Sequence, residues 1–301
     1  MQDKFSGCLV GFNLGDAFGQ PLENLEETEI RNKYGFLEEI TEVDGSGITK
    51  ILINMTNAVL ADPLNPFPLL FNALEEEVLK KPQFYSHALF SVLKAYKLFG
   101  FLPGKIKNYL IKGLKESPDS CEILPVVIPA ALIYMDDEIF RGVTENFAQI
   151  INPHTAVAYL GLFYGFFLKE LLISKNRIKA YEEALKKADF YTIKEILAVA
   201  RAFRERLYHL PYKNACDLQT KNFVADIVES AVYIFLAEDK PFDIIVKSAN
   251  LGGGAASRTA AAGALAGAYW GQKSLPEQLL LKLNQLSLLI DLGSKLWVKK
   301  W

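Results

Sequence analysis

Three cysteines in 301 residues, with no Cys-x-x-Cys pair, exclude a legible disulfide framework or thiolate metal site. Cys8, Cys121 and Cys216 read as separate reduced thiols, which makes the cytoplasm the expected compartment. Three histidines, His87, His154 and His209, lie too far apart for an i,i+4 ligand pair, and no nucleophile motif surrounds them. Charge of one sign is also missing. The 33 basic and 35 acidic residues give a net charge of −2, so no basic field awaits nucleic acid or an anionic membrane. The longest apolar run, 156–168, stops at Lys169-Glu170, short of the ~20 residues that span a bilayer. At the N-terminus, Gly11, Asn13 and Asp16 break up the apolar stretch, which does not read as a secretory signal. No Gly-, Ser- or Pro-rich linker divides the chain, and no fixed-period repeat is visible. One domain over 1–301 is expected.

What is present is helical periodicity. Half of the residues are apolar, enough for a large core. They recur at three- and four-residue spacings over 4–18, 53–61, 67–80, 84–99, 104–115, 124–135, 137–149, 154–173, 176–187, 192–207, 221–236, 241–249, 257–270 and 276–290. Proline and glycine punctuate the joints, as at Pro63, Pro66, Pro68, Pro82, Pro103-Gly104 and Asn152-Pro153. The one weak strand candidate is 39–43. The fold class predicted is all-α, a single compact body of many helices.

Two segments are rich in small residues. Gly7, Gly11, Gly15 and Gly19 recur at every fourth position, as do Gly263 and Gly267. Glycine costs a helix about 1 kcal/mol relative to alanine, so the spacing needs a cause. Close approach of two buried helix backbones supplies one, and a ligand lying on the same bare backbone is compatible with it.

These segments also carry a resemblance. The run Gly11-Phe12-Asn13-Leu14-Gly15-Asp16-Ala17-Phe18-Gly19-Gln20-Pro21-Leu22-Glu23 is similar to the opening signature of the ADP-ribosylglycohydrolases, G-x-x-x-G-D-A-x-G-x-P-x-E. Asn250-Leu251-Gly252-Gly253, followed by Ala260 to Ala268, resembles their closing signature, N-x-G-G-D-T-D-T-x-A-A-x-x-G-A-L-x-G-A. Residues 222–231 and Leu275-Pro276-Glu277 also sit where the family has similar text. The resemblance implies an orthogonally packed helical domain that hydrolyses the bond between ADP-ribose and an acceptor such as arginine or serine. It also implies two magnesium ions held by carboxylates from three places in the chain, as hard divalent cations require.

The sequence departs from that pattern at the metal positions. Where the family reads T-D-D-T, this chain has Thr49-Lys50-Ile51-Leu52. Where it reads D-T-D-T, the residues are Gly254-Ala255-Ala256-Ser257. A middle motif, G-N-G-x-x-M-R-x-x-P, falls on 120–129 without its glycines or arginine, Val126 standing at the arginine position. Lys50 within about 4 Å of a cation would repel it by roughly 4 kcal/mol per unit charge at an effective dielectric near 20. No metal is therefore expected, the family's ligand positions being occupied by Lys50, Ile51, Gly254 and Ala256.

Glu23 and Asp16 remain as catalytic candidates if the protein is active. Gly252, Gly253, Gly254, Ser257, Arg258 and Thr49 are the candidate ligand-binding residues. Glycines that lead into a helix expose backbone N–H groups to a phosphate, and Arg258 could add a charged donor. A capped helix start with Arg258 in a salt bridge is the equal alternative. Asp136-Asp137 reads as the first turn of a helix, and His154 as a local cap. Glu26, Glu27, Glu29 and 75–77 read as solvated faces. Phe163, Tyr164, Phe166 and Phe167 read as core, and Trp297 and Trp301 as flanking a basic tail over 295–300. The expected function is an inactive ADP-ribosylglycohydrolase-like protein that binds ADP-ribose or a related nucleotide. A hydrolase with a rearranged site and an interaction protein with a closed cleft are the alternatives.

Overall fold

The structure, a computed structural model, describes residues 1–39, 44–100, 102–113, 120–192, 194 and 200–300. Among these residues there are sixteen α-helices and no strand. The first eight are α1 (Gln2–Gly19), α2 (Glu27–Tyr34), α3 (Gly47–Ala61), α4 (Phe67–Lys80), α5 (His87–Phe99), α6 (Gly104–Gly113), α7 (Ile123–Ile133) and α8 (Asp137–Ile151). The rest are α9 (Thr155–Ile173), α10 (Arg177–Tyr191), α11 (Arg201–His209), α12 (Val224–Ala237), α13 (Pro241–Asn250), α14 (Ala255–Trp270), α15 (Glu277–Leu280) and α16 (Leu286–Lys299).

Most of the predicted helices are present, and the differences have physical reasons. The helix α2 has one buried residue, Ile30, so it shows no apolar repeat. Instead it is started by a capping box in which Glu26 and Glu29 satisfy each other's backbone N–H. The helix α3 begins at Gly47 rather than at 53, because Ser46 caps it by accepting the Ile48 N–H at 3.3 Å. The predicted helix 276–290 is two helices, and the second runs on to Lys299, so the expected basic tail is mostly helical. Trp297 sits on that helix with its ring 5.3 Å from Phe5, edge to face. Of the weak strand candidate 39–43 only Glu39 is described; positions 40–43, 114–115 of the predicted helix 104–115, 193 and 195–199 of 192–207, and Trp301 lie outside the described residues.

One large core runs from Phe5 to Leu296. Its centre is the pair α1 and α14, both almost wholly buried. They run antiparallel with backbone against backbone. A Cβ added at Gly11 would stand 2.1 Å from the Gly263 carbonyl oxygen, and one at Gly15 would stand 2.1 Å from that of Thr259. The same relation joins Gly7 to Gly267 and Gly19 to Ala255. The four-residue glycine spacing is thus the seam of the fold. The helix α9 lies against this pair: the Tyr164 hydroxyl donates to the Ala261 carbonyl at 2.8 Å, and Lys4 donates to the last carbonyls of α9 at 3.0 and 2.9 Å. By length and composition α9 could cross a membrane, since it continues past Lys169, but 83% of its most apolar window is buried inside the protein. Lys169 is accommodated by the carbonyls of Tyr134 and Met135 and by Asp137.

The seam generates a prediction. Gly263→Ala is expected to lose stability by at least the ~1–3 kcal/mol typical of overpacking, because the obstructing atoms are backbone. Gly142→Ala, within α8 and with nothing near its absent Cβ, is expected to gain up to about 1 kcal/mol. Denaturant unfolding of both variants measures the contrast, and equal effects would remove the seam from its central role.

Candidate functional site

The seam ends where α1 runs into a 3-10 turn, Gln20–Leu22, that delivers Glu23. Asn24 adopts a left-handed backbone, φ 63°, and its N–H donates to the Gly253 carbonyl at 2.7 Å. Gly253 returns a hydrogen bond to the Leu25 carbonyl at 2.7 Å. Glu23 is thereby set beside the start of α14. One carboxylate oxygen accepts the Ala256 N–H at 2.7 Å and the other accepts the Asn222 amide at 2.7 Å. Burial pushes this carboxyl above its ordinary range, while Ala256, Asn222 and the Arg258 charge pull it back.

A cavity of about 390 Å³ opens here. It is lined by Gln20, Glu23, Asn24, Ser46, Ile48, Gln83, Tyr85, Ser86, Cys121, Glu122, Asn222, Ala256 and Ser257. These residues bring together the starts of α3, α5, α7 and α14. Four helix N-termini facing one space attract negative charge. Three carboxylates answer it. Glu23 takes the Ala256 N–H, Glu122 takes the Ser86 N–H at 2.6 Å, and Asp16 takes the Ser46 N–H at 2.7 Å. Asp16 also accepts the Thr49 hydroxyl at 2.6 Å.

Asp16 and Thr49 do not line this cavity. Both are fully buried beneath the cavity and bonded to each other, so neither is exposed to a ligand. The remaining oxygens of Asp16 and of Asn13 are buried without partners. Gly45 closes over them: a Cβ there would lie 2.2 Å from the Thr49 hydroxyl. Burial raises the Asp16 carboxyl to about 6, against the hydrogen bonds from Thr49 and Ser46 that lower it.

The expected phosphate cradle is also spent internally. The N–H groups of Gly252, Gly253 and Gly254 go to the carbonyls of Ala249, Leu25 and Thr220. The open anion position at the start of α14 is filled by Glu23. Arg258 is fully buried and absent from the cavity lining; its guanidinium donates to the carbonyls of Ser248, at 2.9 Å, and Gly252. Ser257 alone of those six candidates lines the space, its hydroxyl donating to Cys121 Sγ at 3.2 Å. Glu122, Cys121, Ser46, Tyr85 and Gln83 line it as well but were not singled out by sequence. The 120–129 motif was the available signal for the first two, and Ser46 could have been found as a serine just before a helix.

Of the positions that replace the metal ligands, Ile51 is core, Gly254 abuts Asn222, and Ala256 lines the cavity. Lys50 pairs with Glu77 at 3.0 Å, on the same carboxylate oxygen that accepts the hydroxyl of the cavity-lining Tyr85. Magnesium needs several oxygen ligands converging on one point. Among the described residues no group of three His, Cys, Asp or Glu does so, and the nearby carboxylates are committed to backbone N–H groups. The donor set does not fit a magnesium pair. Outside the cavity, Asp136 caps α8 and His154 caps α9 through Nδ1, which accepts the Ala156 N–H at 3.1 Å.

Comparison with known proteins bears on this site. The family model of ADP-ribosylglycohydrolase matches residues 1–300. An uncharacterized protein of Archaeoglobus fulgidus is 23% identical, over 99% of this chain and 97% of its own. The ADP-ribosylarginine hydrolase Tri1 of Serratia proteamaculans is 22% identical, over 98% of this chain and 79% of its own. A solved chain from an ADP-ribosylglycohydrolase-related protein complex superposes with a TM-score of 0.80 at 16% identity, over 100% of this chain and 99% of that one.

Asp16 yields a pH prediction. Its folded value near 6 exceeds the unfolded 3.8, so the folded state holds more protons between them and stability falls as pH rises through that window. The loss amounts to on the order of 3 kcal/mol at neutral pH. Asp16→Asn lacks this titration. Its stability relative to the parent is expected to improve by that amount between pH 4 and pH 7 in denaturant melts, and parallel profiles would contradict the assignment.

Proposed function

The chain belongs to the ADP-ribosylglycohydrolase family, and from that premise we propose that its cavity binds ADP-ribose or a related nucleotide without magnesium and without hydrolysing it. The observation that carries this reading is the use of all three local carboxylates as helix-end acceptors. A carboxylate fixed on a peptide N–H at 2.6–2.7 Å is poorly placed to bind a divalent ion or to take a proton from water. Ligand binding remains supported by the space itself. About 390 Å³ falls within the range of small-molecule sites, roughly 300–1,000 Å³. Amides of Gln20, Asn24, Gln83 and Asn222, with hydroxyls of Tyr85, Ser86 and Ser257, suit the hydroxyls of a ribose. Cytoplasmic residence belongs to the same proposal, since Cys8, Cys121 and Cys216 lie far apart in sequence and form no disulfide among the described residues.

The rearranged-hydrolase reading loses its named pair, because Asp16 is sealed beneath the cavity that Glu23 lines. The closed-cleft reading is disfavoured by an open cavity at the family's metal position.

Thermal unfolding with ADP-ribose, in excess magnesium and in EDTA, tests the proposal. Free ligand at 100 times its Kd is expected to add about 2.7 kcal/mol in both buffers. Incubation with an ADP-ribosylated arginine peptide is expected to release no ADP-ribose in either. A shift or a release that requires magnesium would overturn the metal-free reading, and no shift in either buffer would favour an interaction surface.

A further inference from the structure

The turn between α13 and α14 is pinned from both sides by opposite charges. On the cavity side, Glu23 accepts the Ala256 N–H at the start of α14. On the core side, Arg258 reaches back across the turn to the carbonyls of Ser248 and Gly252, at the end of α13. A carboxylate at a helix N-terminus and a guanidinium at a helix C-terminus each complement the local dipole. Between them the chain must pass through Gly252 and Gly253 with φ of 69° and 60°, each pressed on the backbone of another segment. Arg258 is wholly buried, and among the described residues one of its terminal nitrogens has no hydrogen-bond partner and no carboxylate forms a salt bridge with it. Both charges are fixed on the same short turn, Glu23 at the Ala256 N–H and Arg258 at the Gly252 carbonyl.

An isolated buried guanidinium is costly, and two backbone carbonyls only partly compensate it. Its presence here calls for a charge it serves. We infer that Arg258 is a resident cation of this turn: from the core side it balances Glu23 and positions residues 250–256, so the cavity assembles without metal. It is a positioning residue, since it does not line the cavity. This inference rests on the metal-free half of the proposed function and is independent of which ligand the cavity takes.

The test uses the full chain with no nucleotide present, so it can fail while ADP-ribose binding stands, and the reverse. Wild type, Glu23→Gln, Arg258→Met and the double variant are melted in EDTA and in excess magnesium chloride. Wild-type Tm is expected to be the same in both buffers. Each single variant is expected to melt several degrees lower, because each leaves one buried charge without its counterpart. The double variant is expected to melt no lower than the worse single variant, the non-additivity expected of two coupled charges. If Arg258→Met does not fold, Arg258→Lys, which keeps the charge, takes its place. That variant is expected to retain most of the Tm in the wild-type background and to lose it when Glu23→Gln is added. A wild-type Tm that rises with magnesium, or single losses that simply sum in the double variant, would overturn the inference.

Discussion

The backbone contact between α1 and α14 is the constraint on which the rest of the molecule hangs. Two helices separated by ordinary side chains sit about 8–10 Å apart and can slide by a turn at modest cost. Here carbonyls of one helix lie where the other's Cβ atoms would be, so neither rotation nor sliding is free. Glycine's intrinsic cost in a helix, about 1 kcal/mol at each position, is offset by this close approach and by the burial of both helices. The seam also fixes two chain ends in space. Gly19 meets Ala255, so the residues just beyond each, Glu23 and Ala256, are brought within hydrogen-bond distance. The site is a consequence of the seam's length and register.

Charge governs what is built at that end. Helix starts present unpaired N–H groups, and converging several of them on one cavity creates a site that must be filled by anions, water or ligand. The chain fills it with its own carboxylates, Glu23, Glu122 and Asp16. Charge-assisted hydrogen bonds of this kind are worth about 1.5–3 kcal/mol each, enough to hold side chains that burial would otherwise penalise.

Most helices were legible in the sequence from runs of apolar residues cut by proline and glycine, and the seam was legible because glycine at every fourth position needs a cause. The family resemblance lay in the same two segments, since the opening and closing signatures are the two faces of that contact. What stayed hidden depended on direction rather than identity. Arg258 follows a glycine turn in a way that suggests an exposed anion donor, yet its side chain points inward to Ser248 and Gly252. Asp16 is one turn from Glu23's approach, yet the seam turns it under the first turn of α3. The glycine turn looks like a phosphate cradle by composition, and only the partners Leu25 and Thr220, far away in sequence, show that its donors are taken. The helix α2 was invisible to periodicity because its capping box, not an apolar face, starts it.

The residues that stand at the expected metal positions bear on more than metal binding. Deleting aspartates from a constellation that binds divalent ions leaves the surviving carboxylates facing one another and facing helix ends. Two such charges at 4 Å repel by about 4 kcal/mol at an effective dielectric of 20, a large share of a domain's stability. In this chain each carboxylate is given a backbone donor, and an arginine is buried behind the one nearest the glycine turn. Lys50 is paired with Glu77. Aspartates restored at 50 and 256 would meet Glu23 and Glu122 already fixed on the helix starts that a metal would need them to release.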